Sequence, residues 1–554
     1  VIIADPVAQL EHRVAKRNTH IPKPENLLPD RKNSRGFLWS DPPVAAPILR
    51  EMEASLGEAQ KAGPIIGGEA RWRNALDVRD PSDRRRKVGE VVEANAGDVK
   101  DALNLAHGAQ AEWNALGGDA RGKILECAAD LFEKNSSHLM ALAVREAGKT
   151  LPDALAEVRE AVDFLRYYAA QARKLFEGAV KLPGPTGETN ELTLHGRGVF
   201  ACIAPWNFPL AIFTGQVAGA LAAGNTVLAK PAEQTPLIAA AGLHLLHEAG
   251  VPKDVLHLLP GDGPRIGNAL FADARLAGVA FTGSTEAANA INRALASREG
   301  PIAALIAETG GQNAMIVDST ALPEQVCKDA LASACDSAGQ RCSAARVLFL
   351  QEDVAGKMLD FILGAMDELT IGDPMKLSTD IGPVIDEEAR KNLQAHADRM
   401  TKEAKFLRKL PLGAEHEHGV FFPPQAFEIE SIASLKREVF GPILHVVRYS
   451  ADRLDQVCES INATGYGLTL GIHSRINETA DFIRARMRAG NIYVNRNQIG
   501  AVVGVQPFGG EGLSGTGPKA GGPNYLLRFA LERTYTVNIA AAGGNAALLG
   551  EQGD

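Results

Sequence analysis

The segment GVFACIAPWNFPLAIFTGQVAGALAAGNTVLAK at residues 198–230 decides the fold class of this chain. It begins with an apolar run at 198–205, continues with a helical run at 209–223 and ends with a second apolar run at 226–230. A strand, a helix and a second strand in this order predict two parallel strands joined by a right-handed crossover.

The same alternation continues along the chain. Further strand-like runs occupy 255–260, 278–283, 304–309 and 314–318, with helical runs at 234–249, 264–272 and 285–297. After Cys342 the pattern resumes more weakly, with strand-like runs at 347–350, 468–473 and 491–495 and helical runs at 353–368 and 476–489. Strands alternating with helices predict mainly parallel sheets covered by helices, and hence two α/β domains in series.

The first 200 residues have a different pattern. Residues 1–60 are polar and rich in proline, which predicts an extended arm or a connector rather than a core. From about 98 to 180 the spacing of apolar and charged residues is helical, and prolines and glycines after Pro183 end it.

Composition excludes several classes of function. The 554 residues include 58 Lys and Arg and 67 Asp and Glu, for a net charge of −9, so we predict no direct binding to nucleic acid. The 6 cysteines are too sparse for a disulfide scaffold and predict a cytoplasmic protein. The chain begins with Val1 and no signal peptide follows, so we expect a processed chain or a piece of a longer protein.

The most apolar stretch, 209–229, raises the alternative of a membrane helix, since Gly215 and Gly219 have GxxxG spacing. Gln216 and Asn225 interrupt it, and a spanning helix needs about 20 apolar residues. We therefore predict a buried helix followed by a buried strand, and no membrane span.

Three of the predicted strands end in residues that suit a nucleotide. One ends in Lys230 with Glu233 close behind, a second in Gly-Asp-Gly at 261–263, and a third in Gly283 and Ser284 at a helix start. Backbone N–H groups at a helix N-terminus bind phosphate well. Each turn alone is also compatible with a plain turn, and neither standard phosphate motif is present, so dinucleotide binding stays open at this point.

Cys342 is the best candidate nucleophile because it follows a helix end and has Arg341 beside it, and a nearby cation lowers the pKa of a thiol. The other cysteines are expected to be small buried apolar residues, namely Cys127, Cys202, Cys327, Cys335 and Cys458. No histidine lies at ligand spacing near Cys342, so we predict no metal site.

Two further polar residues follow strands. Glu308 ends a strand before two glycines and is either a general base or a cap for the next element. Asn207, held between Pro205 and Pro209, is either an oxyanion donor or an ordinary turn residue.

Seven motifs occur in the order and spacing of the aldehyde dehydrogenase superfamily, which the chain resembles over about residues 60–540. The motifs are PWNFP (205–209), AKPAEQTP (229–236), FTGST (281–285), ETGGQN (308–313), GQRCS (339–343), EVFGP (438–442) and PFGG (507–510). Within it, the stretches 462–475, 495–523 and 532–538 are similar to Δ1-pyrroline-5-carboxylate dehydrogenases, and more narrowly to the C-terminal catalytic part of bifunctional proline-utilisation proteins.

The resemblance implies an aldehyde dehydrogenase fold with a Rossmann-like NAD-binding domain, an α/β catalytic domain and a β-flap for oligomerisation. The implied division is an arm or connector at 1–60, an NAD-binding domain at 61–183 and 198–310, a catalytic domain at 311–517, a flap at 184–197 and 518–540, and a tail at 541–554.

The resemblance also implies roles for particular residues: Cys342 as nucleophile, Glu308 as general base and Asn207 as oxyanion donor. The implied cofactor-binding residues are Lys230, Glu233, Gly283, Ser284, Glu438, Phe440, Pro205 and Trp206. The implied substrate-binding residues are Phe208, Arg341, Ser343, Gly500, Ala501 and Phe508. Among these, Ser343, Gly500 and Ala501 would anchor a carboxylate at the far end of the substrate.

The implied activity is NAD-dependent oxidation of L-glutamate γ-semialdehyde to L-glutamate through a thiohemiacetal and a thioester on Cys342. A carboxylate at Glu233 would favour NAD over NADP. The implied partners are further copies of this chain and a covalently linked upstream proline dehydrogenase domain in the parent protein. Three alternatives remain: a dehydrogenase for another small carboxylated aldehyde, a CoA-acylating enzyme, which Glu308 disfavours, and an inactive binding module.

Overall fold

The computed structural model of the chain describes residues 18–57, 59–539 and 543. The described part contains two seven-stranded sheets flanked by helices, which confirms the predicted α/β class. The α-helices are Pro42–Ser55, Ala96–Ala115, Gly117–Lys134, Ser136–Ala147, Leu151–Phe176, Ala211–Ala222, Pro236–Glu248, Gly263–Phe271, Thr285–Ser297, Pro323–Cys335, Glu352–Asp367, Glu387–Glu403, Leu454–Asn462, Asn477–Arg486 and Tyr525–Arg528.

The first sheet, which we call the N-terminal sheet, contains the opening segment. Its strands, in spatial order, are Ala304–Glu308, Leu276–Thr282, Val199–Ile203, Thr226–Lys230, Leu256–Leu258, Ile65–Ile66 and Glu69–Ala70. The first five run parallel, and the last two join antiparallel. Every residue of Thr226–Lys230 is buried, which explains why this strand is a continuous apolar run rather than an alternating one.

The second sheet, the C-terminal sheet, has the spatial order Lys405–Lys409, Gln425–Glu428, Ile443–Tyr449, Val347–Gln351, Ala314–Val317, Thr469–His473 and Asn491–Val494. All neighbours are parallel except the first pair. Ala314–Val317, which the alternation along the chain places at the end of the first series, belongs to this second sheet. The strands Gln425–Glu428 and Ile443–Tyr449 were not predicted.

A third sheet has three strands, and Ala530 and Leu194 in it pack against the same apolar core as the N-terminal sheet. Its antiparallel strands are Val180–Leu182, Glu188–Gly196 and Ala530–Asn538. All residues of the last strand except Ala530 are exposed. There are two smaller sheets in the described part. In one, Lys87–Val91 lies between Gln60–Ala62 and Leu76–Arg79 and pairs with both, and in the other Tyr466–Gly467 pairs with Glu511–Gly512.

The proline-rich segment is more ordered than an extended arm. It contains the helix Pro42–Ser55, and Met52 of this helix is fully buried in the same apolar core as the N-terminal sheet. Pro42 and Pro43 occupy the first turn, where proline is compatible with a helix, so this part of the expected arm or connector is helical. Residues 1–17 of the expected arm and nearly all of the expected tail lie outside the described residues.

The apolar stretch 209–229 forms the 12-residue helix Ala211–Ala222 and the buried strand after it. Among the described helices, none combines the length and the apolar character that crossing a bilayer requires.

Candidate active site

Cys342 lies in the loop between the 3-10 turn Asp336–Gly339 and the strand Val347–Gln351. Ser337 and Ala338 in the turn have left-handed backbone, with φ of 59° and 53°. Residues other than glycine adopt this conformation rarely, and such strain is concentrated at functional sites. The turn redirects the chain so that Cys342 is half-buried, neither sealed in the core nor fully exposed.

Two side chains hold the backbone of this loop. The Asn313 amide donates to the carbonyl oxygens of Cys342 at 2.6 Å and of Ala344 at 3.0 Å. The Arg346 guanidinium donates to the carbonyl oxygens of Gly339 at 2.6 Å and of Arg341 at 2.9 Å. The nucleophile's backbone is therefore fixed before any substrate binds.

The pKa of the Cys342 thiol is raised to about 12 by burial and by the nearby carboxylates of Glu438 and Glu308, and Arg346 opposes this shift. The expectation of a lowered thiol pKa is therefore wrong, and the cation that opposes the rise is Arg346. Arg341, which the sequence places beside the thiol, forms an ion pair with Asp153.

Of the other cysteines, Cys202, Cys327, Cys335 and Cys458 are buried as expected. The expectation is wrong for Cys127, which is exposed on the helix Gly117–Lys134. Ala128 and Ala129 after it are buried, but its own position faces solvent.

Glu308 ends its strand in a cradle of glycines. Its Oε2 accepts from the backbone N–H of Gly510 at 3.1 Å, and its Oε1 is buried with no partner. A Cβ at Gly509 or Gly515 would lie within 2.9 Å of the carboxylate. Burial raises the pKa of this carboxyl to about 8, and the Gly510 N–H and the Lys519 ammonium oppose the shift. Such a carboxyl can both hold and release a proton near neutral pH.

Asn207 approaches the nucleophile from the N-terminal sheet. It is 7% exposed, and its side-chain amide donates to the carbonyl oxygen of Gln340 at 3.2 Å, two residues before Cys342. One N–H of the amide is used in this bond, which leaves the second for another acceptor.

The ends of the strands Val199–Ile203 and Thr226–Lys230 lie side by side, since the backbone N–H of Ala204 donates to the carbonyl oxygen of Lys230. The Lys230 ammonium is buried and donates to Glu233 Oε1 at 3.0 Å. The Glu233 side chain is 45% exposed, and a Cβ at Gly263 would lie 3.4 Å from its Oε1. An exposed carboxylate beside a glycine at the carboxyl edge of a parallel sheet suits the ribose of a nucleotide.

Ser284 caps the helix Thr285–Ser297, with its hydroxyl accepting from the backbone N–H of Ala287 at 3.1 Å. Gly283 precedes it, and its backbone N–H donates to the carbonyl oxygen of Glu308 at 3.1 Å. The helix N-terminus is thus adjacent to the strand end that carries Glu308, and its free N–H groups suit a phosphate.

Arg346, which donates to the loop that carries Cys342, also contacts Glu438 and Phe440. Glu438 Oε1 pairs with the Arg346 guanidinium at 3.0 Å, and the Arg346 guanidinium lies 5.1 Å from the centre of the Phe440 ring. The Phe440 ring meets the Trp206 ring edge to face at 5.5 Å. A Cβ on Gly310 would overlap the Glu438 carboxylate, so only glycine fits there.

Phe208 lies between two cations. The Lys149 ammonium is 4.0 Å from the ring centre and the Arg341 guanidinium is 5.4 Å from it. Lys149 is buried and pairs with Glu157 at 3.5 Å. Lys149 could not be predicted from sequence because the helical region around it carries no motif.

The other predicted substrate residues lie on two loops. Ser343 is buried next to Cys342, and its carbonyl oxygen accepts from Thr469 Oγ1 at 3.1 Å. Gly500 is exposed with φ of 75°, and a Cβ there would meet no atom within 4 Å. Ala501 follows it, half-buried. Phe508 is half-buried and pairs through its backbone with Ala520 at 2.8 and 2.9 Å.

Two functional residues beyond the prediction emerge from these contacts. Asn313 closes the motif ETGGQN, so its motif position was a usable signal. Lys519 donates to the carbonyl oxygen of Gly490 and to Asn491 Oδ1, and it lies close enough to Glu308 to favour its ionised form. Among the described residues, no group of three or more His, Cys, Asp or Glu side chains is arranged to hold a metal ion.

Comparison with known proteins places this site in a family. Residues 69–535 match the model of the aldehyde dehydrogenase family. The chain is 50% identical over 547 residues to the bifunctional protein PutA of Klebsiella aerogenes, covering 96% of this chain and 41% of that protein. It is 37% identical to a 1-pyrroline-5-carboxylate dehydrogenase of Geobacillus sp., covering 88% of this chain and 95% of that protein.

Solved structures of related proteins have the same fold as this chain. A mutant form of proline utilization A (PutA) of Bradyrhizobium japonicum has a TM-score of 0.85 at 52% identity, covering 94% of this chain and 49% of that one. A mutant form of the 1-pyrroline-5-carboxylate dehydrogenase of Thermus thermophilus has a TM-score of 0.87 at 34% identity, covering 91% of this chain and 99% of that one. The chain spans less than half the length of these two PutA relatives. By its sequence, its fold and the geometry around Cys342, this chain belongs to the aldehyde dehydrogenase family.

Proposed function

We propose that this chain oxidises L-glutamate γ-semialdehyde, the hydrolysed form of Δ1-pyrroline-5-carboxylate, to L-glutamate, using NAD, in the second step of proline catabolism. The observation that carries the proposal is the convergence of a half-buried Cys342, the Asn207 amide and the Glu308 carboxyl on one loop. Relatives named 1-pyrroline-5-carboxylate dehydrogenase, matched over nearly their whole length, support the choice of substrate.

The first half of the reaction forms a bond between sulfur and carbon. A thiol with a pKa of about 12 is protonated at neutral pH, so it must give up its proton as the aldehyde binds. That proton leaves to solvent, so the first half of the reaction does not require Glu308. Attack of the Cys342 sulfur on the carbonyl carbon gives a thiohemiacetal, whose oxygen carries the negative charge. The second N–H of Asn207 is available to stabilise that charge.

The second half releases the acid. Loss of hydride from the substrate carbon converts the thiohemiacetal into a thioester on Cys342. Glu308 Oε1 is a buried acceptor without a partner, and a water bound there can transfer its proton to the carboxylate as its oxygen attacks the thioester. The C–S bond then breaks, the acid leaves, and the Cys342 thiolate takes the proton from Glu308, which restores the ionised base.

Side chains at the carboxyl edge of the N-terminal sheet would bind a dinucleotide. Glu233 would accept from the ribose hydroxyls, with Lys230 holding it, and Ser284 lies at a helix N-terminus suited to phosphate. Glu438 and Phe440 would meet the nicotinamide end. When bound, the oxidised nicotinamide accepts the hydride. We propose NAD rather than NADP because the Glu233 carboxylate would repel a 2′-phosphate.

The carboxylate of the substrate would bind at Ser343, Gly500 and Ala501. The free space at Gly500 lets a carboxylate approach the backbone, and charge-assisted bonds to N–H groups are strong. Phe208 and Phe508 would contact the aliphatic part. This pocket would select an aldehyde with a carboxylate at its far end.

We also propose that copies of this chain associate through the strand Ala530–Asn538, because its exposed side chains include the large apolar ones of Leu531, Tyr535 and Val537, and exposed apolar patches favour association. A cytoplasmic location is supported by the sparse cysteines. The linked upstream proline dehydrogenase domain remains a prediction from the resemblance, and we attribute no proline oxidation to this chain.

The decisive experiment is NADH formation from Δ1-pyrroline-5-carboxylate, compared with propanal and hexanal, which lack the carboxylate. We expect kcat/KM to be at least about tenfold higher for the carboxylated substrate. Cys342→Ala should form no NADH while still binding NAD, and Cys127→Ala, which removes an exposed thiol, is the matched control. Equal kcat/KM values for all aldehydes, or turnover by Cys342→Ala, would refute the proposal.

A further inference from the structure

A short segment ahead of the first strand contacts the loop proposed to bind the substrate carboxylate. We call residues 29–36 the N-terminal strap and residues 499–505 the anchor loop, which carries Gly500 and Ala501. The two are more than 460 residues apart in sequence, but Arg31 of the strap joins them directly.

Arg31 is buried against the anchor loop. Its Nη2 donates to the carbonyl oxygen of Val503 at 2.6 Å, and its guanidinium lies 5.0 Å from the centre of the Tyr167 ring. The Arg31 side chain is 4% exposed, and its Nη1 pairs with Asp30 at 3.0 Å. Arg31 therefore combines a charge-assisted hydrogen bond with a cation–π contact in a nearly dry setting.

The strap is anchored independently of the loop. The backbone N–H and the hydroxyl of Ser34 both donate to the Asp163 carboxylate, at 3.0 and 2.8 Å. The backbone N–H of Arg35 donates to Glu133 at 2.8 Å. Both carboxylates belong to long helices, Glu133 to Gly117–Lys134 and Asp163 to Leu151–Phe176, so the strap gives Arg31 a rigid base.

The anchor loop is shaped around the Arg31 side chain. Gly504 has φ of 75°, and a Cβ there would lie 2.8 Å from Arg31 Nη2 and 2.9 Å from Tyr167 Cε2. Val503, whose carbonyl oxygen receives the Arg31 bond, is 5% exposed, whereas Val502 and Val505 on either side are 42% and 52% exposed. The contact with Arg31 thus occurs where this exposed loop returns to the core, three residues after Gly500.

The contacts of Arg31 offset only part of the free-energy cost of removing its guanidinium from water. Its Nε is buried with no hydrogen-bond partner, and a buried donor left unpaired destabilises the fold. A purely structural filler at this position would be apolar. A cation held here at such a cost is more consistent with a role in fixing the loop than with stability alone.

We propose that Arg31 is a positioning residue for substrate recognition: by holding the Val503 carbonyl, it sets the path of the anchor loop so that the backbone at Gly500 and Ala501 faces the substrate carboxylate. This inference rests on the proposed function. It assigns part of the specificity to a segment outside the residues that match the family model.

The test compares Arg31→Met with wild type on glutamate γ-semialdehyde and on hexanal at saturating NAD. We expect KM for the semialdehyde to rise about tenfold, which corresponds to about 1.4 kcal/mol. We expect KM for hexanal, kcat for both aldehydes and KM for NAD to stay within about twofold of wild type, because none of them uses the anchor loop. Arg31→Lys, which keeps one donor, should recover part of the loss.

Lys32→Met is the matched control, because Lys32 is the adjacent cation and is exposed. Gly504→Ala disturbs the contact between Arg31 and the anchor loop from the loop side, so it should reproduce the selective rise in KM for the semialdehyde. It therefore tests the inference even if Arg31→Met does not fold. Unchanged KM values, or equal losses for the two aldehydes, in the variants that fold would overturn the inference. Failure of wild type to oxidise the semialdehyde would instead refute the proposed function, so the two failures are distinguishable.

Discussion

Ionisation of the Glu308 carboxyl is expected to set the pH dependence of thioester hydrolysis. Burial raises its pKa to about 8. A carboxyl with that pKa is about one-tenth ionised at pH 7 and about nine-tenths ionised at pH 9. A general base acts only in its ionised form, so the hydrolysis rate should rise about tenfold between these values and level off above them.

Stopped-flow absorbance of NADH separates the two halves of the reaction. A burst reports formation of the thioester, and the steady-state rate reports its hydrolysis where hydrolysis is limiting. Because the pKa of the Cys342 thiol is about 12, the burst rate should continue to rise above pH 9, whereas the steady-state rate should not. Glu308→Gln should leave a burst with little steady-state turnover. Glu511→Gln, which changes an exposed carboxylate nearby, should behave as wild type.

Two results would refute this reasoning. One is a steady-state rate that is independent of pH between 7 and 9 although the burst shows hydrolysis to be limiting. The other is a Glu308→Gln enzyme that keeps the wild-type rise, because then another group would be the base.

Three further changes test other parts of the site. Glu233→Ser should narrow the preference for NAD over NADP in kcat/KM because it removes the charge that would repel the 2′-phosphate; an unchanged ratio would exclude that role. Lys519→Met should move the rise in the steady-state rate to higher pH, because the Lys519 ammonium favours the ionised form of Glu308. Lys519→Arg keeps the positive charge and should leave the rise where it is. Identical pH profiles for the two variants would argue against this role of Lys519. Ser343→Ala should raise KM for the semialdehyde several-fold more than for propanal, and equal increases would remove Ser343 from carboxylate binding.

The parallel strands could be predicted because they are buried on both faces. Every residue of Thr226–Lys230 is inside, so the strand stands out as an apolar run between turns. The sheet to which a strand belongs could not be predicted, since Ala314–Val317 pairs with partners at 347–350 and 470–473. Local alternation contains no information about such distant pairing.

The positions of the site residues could be predicted better than their environment. Cys342, Glu308 and Asn207 each follow a recognisable element, and the structure brings them to one loop region. The cation that acts on the thiol could not be predicted. Arg341 is adjacent in sequence but pairs with Asp153, whereas Arg346, four residues beyond Cys342, provides the charge. Such assignments depend on side-chain direction, which sequence spacing does not specify.

The most direct measurement is mass spectrometry of the intermediate. Glu308→Gln enzyme would be mixed with NAD and glutarate semialdehyde, which has the carboxylate but no amine to cyclise, then quenched in acid and digested. We predict an acyl group on the peptide that contains Cys342 and none on the peptide that contains Cys127. An unmodified Cys342 despite a burst of NADH, or an acyl group on another residue, would contradict the account.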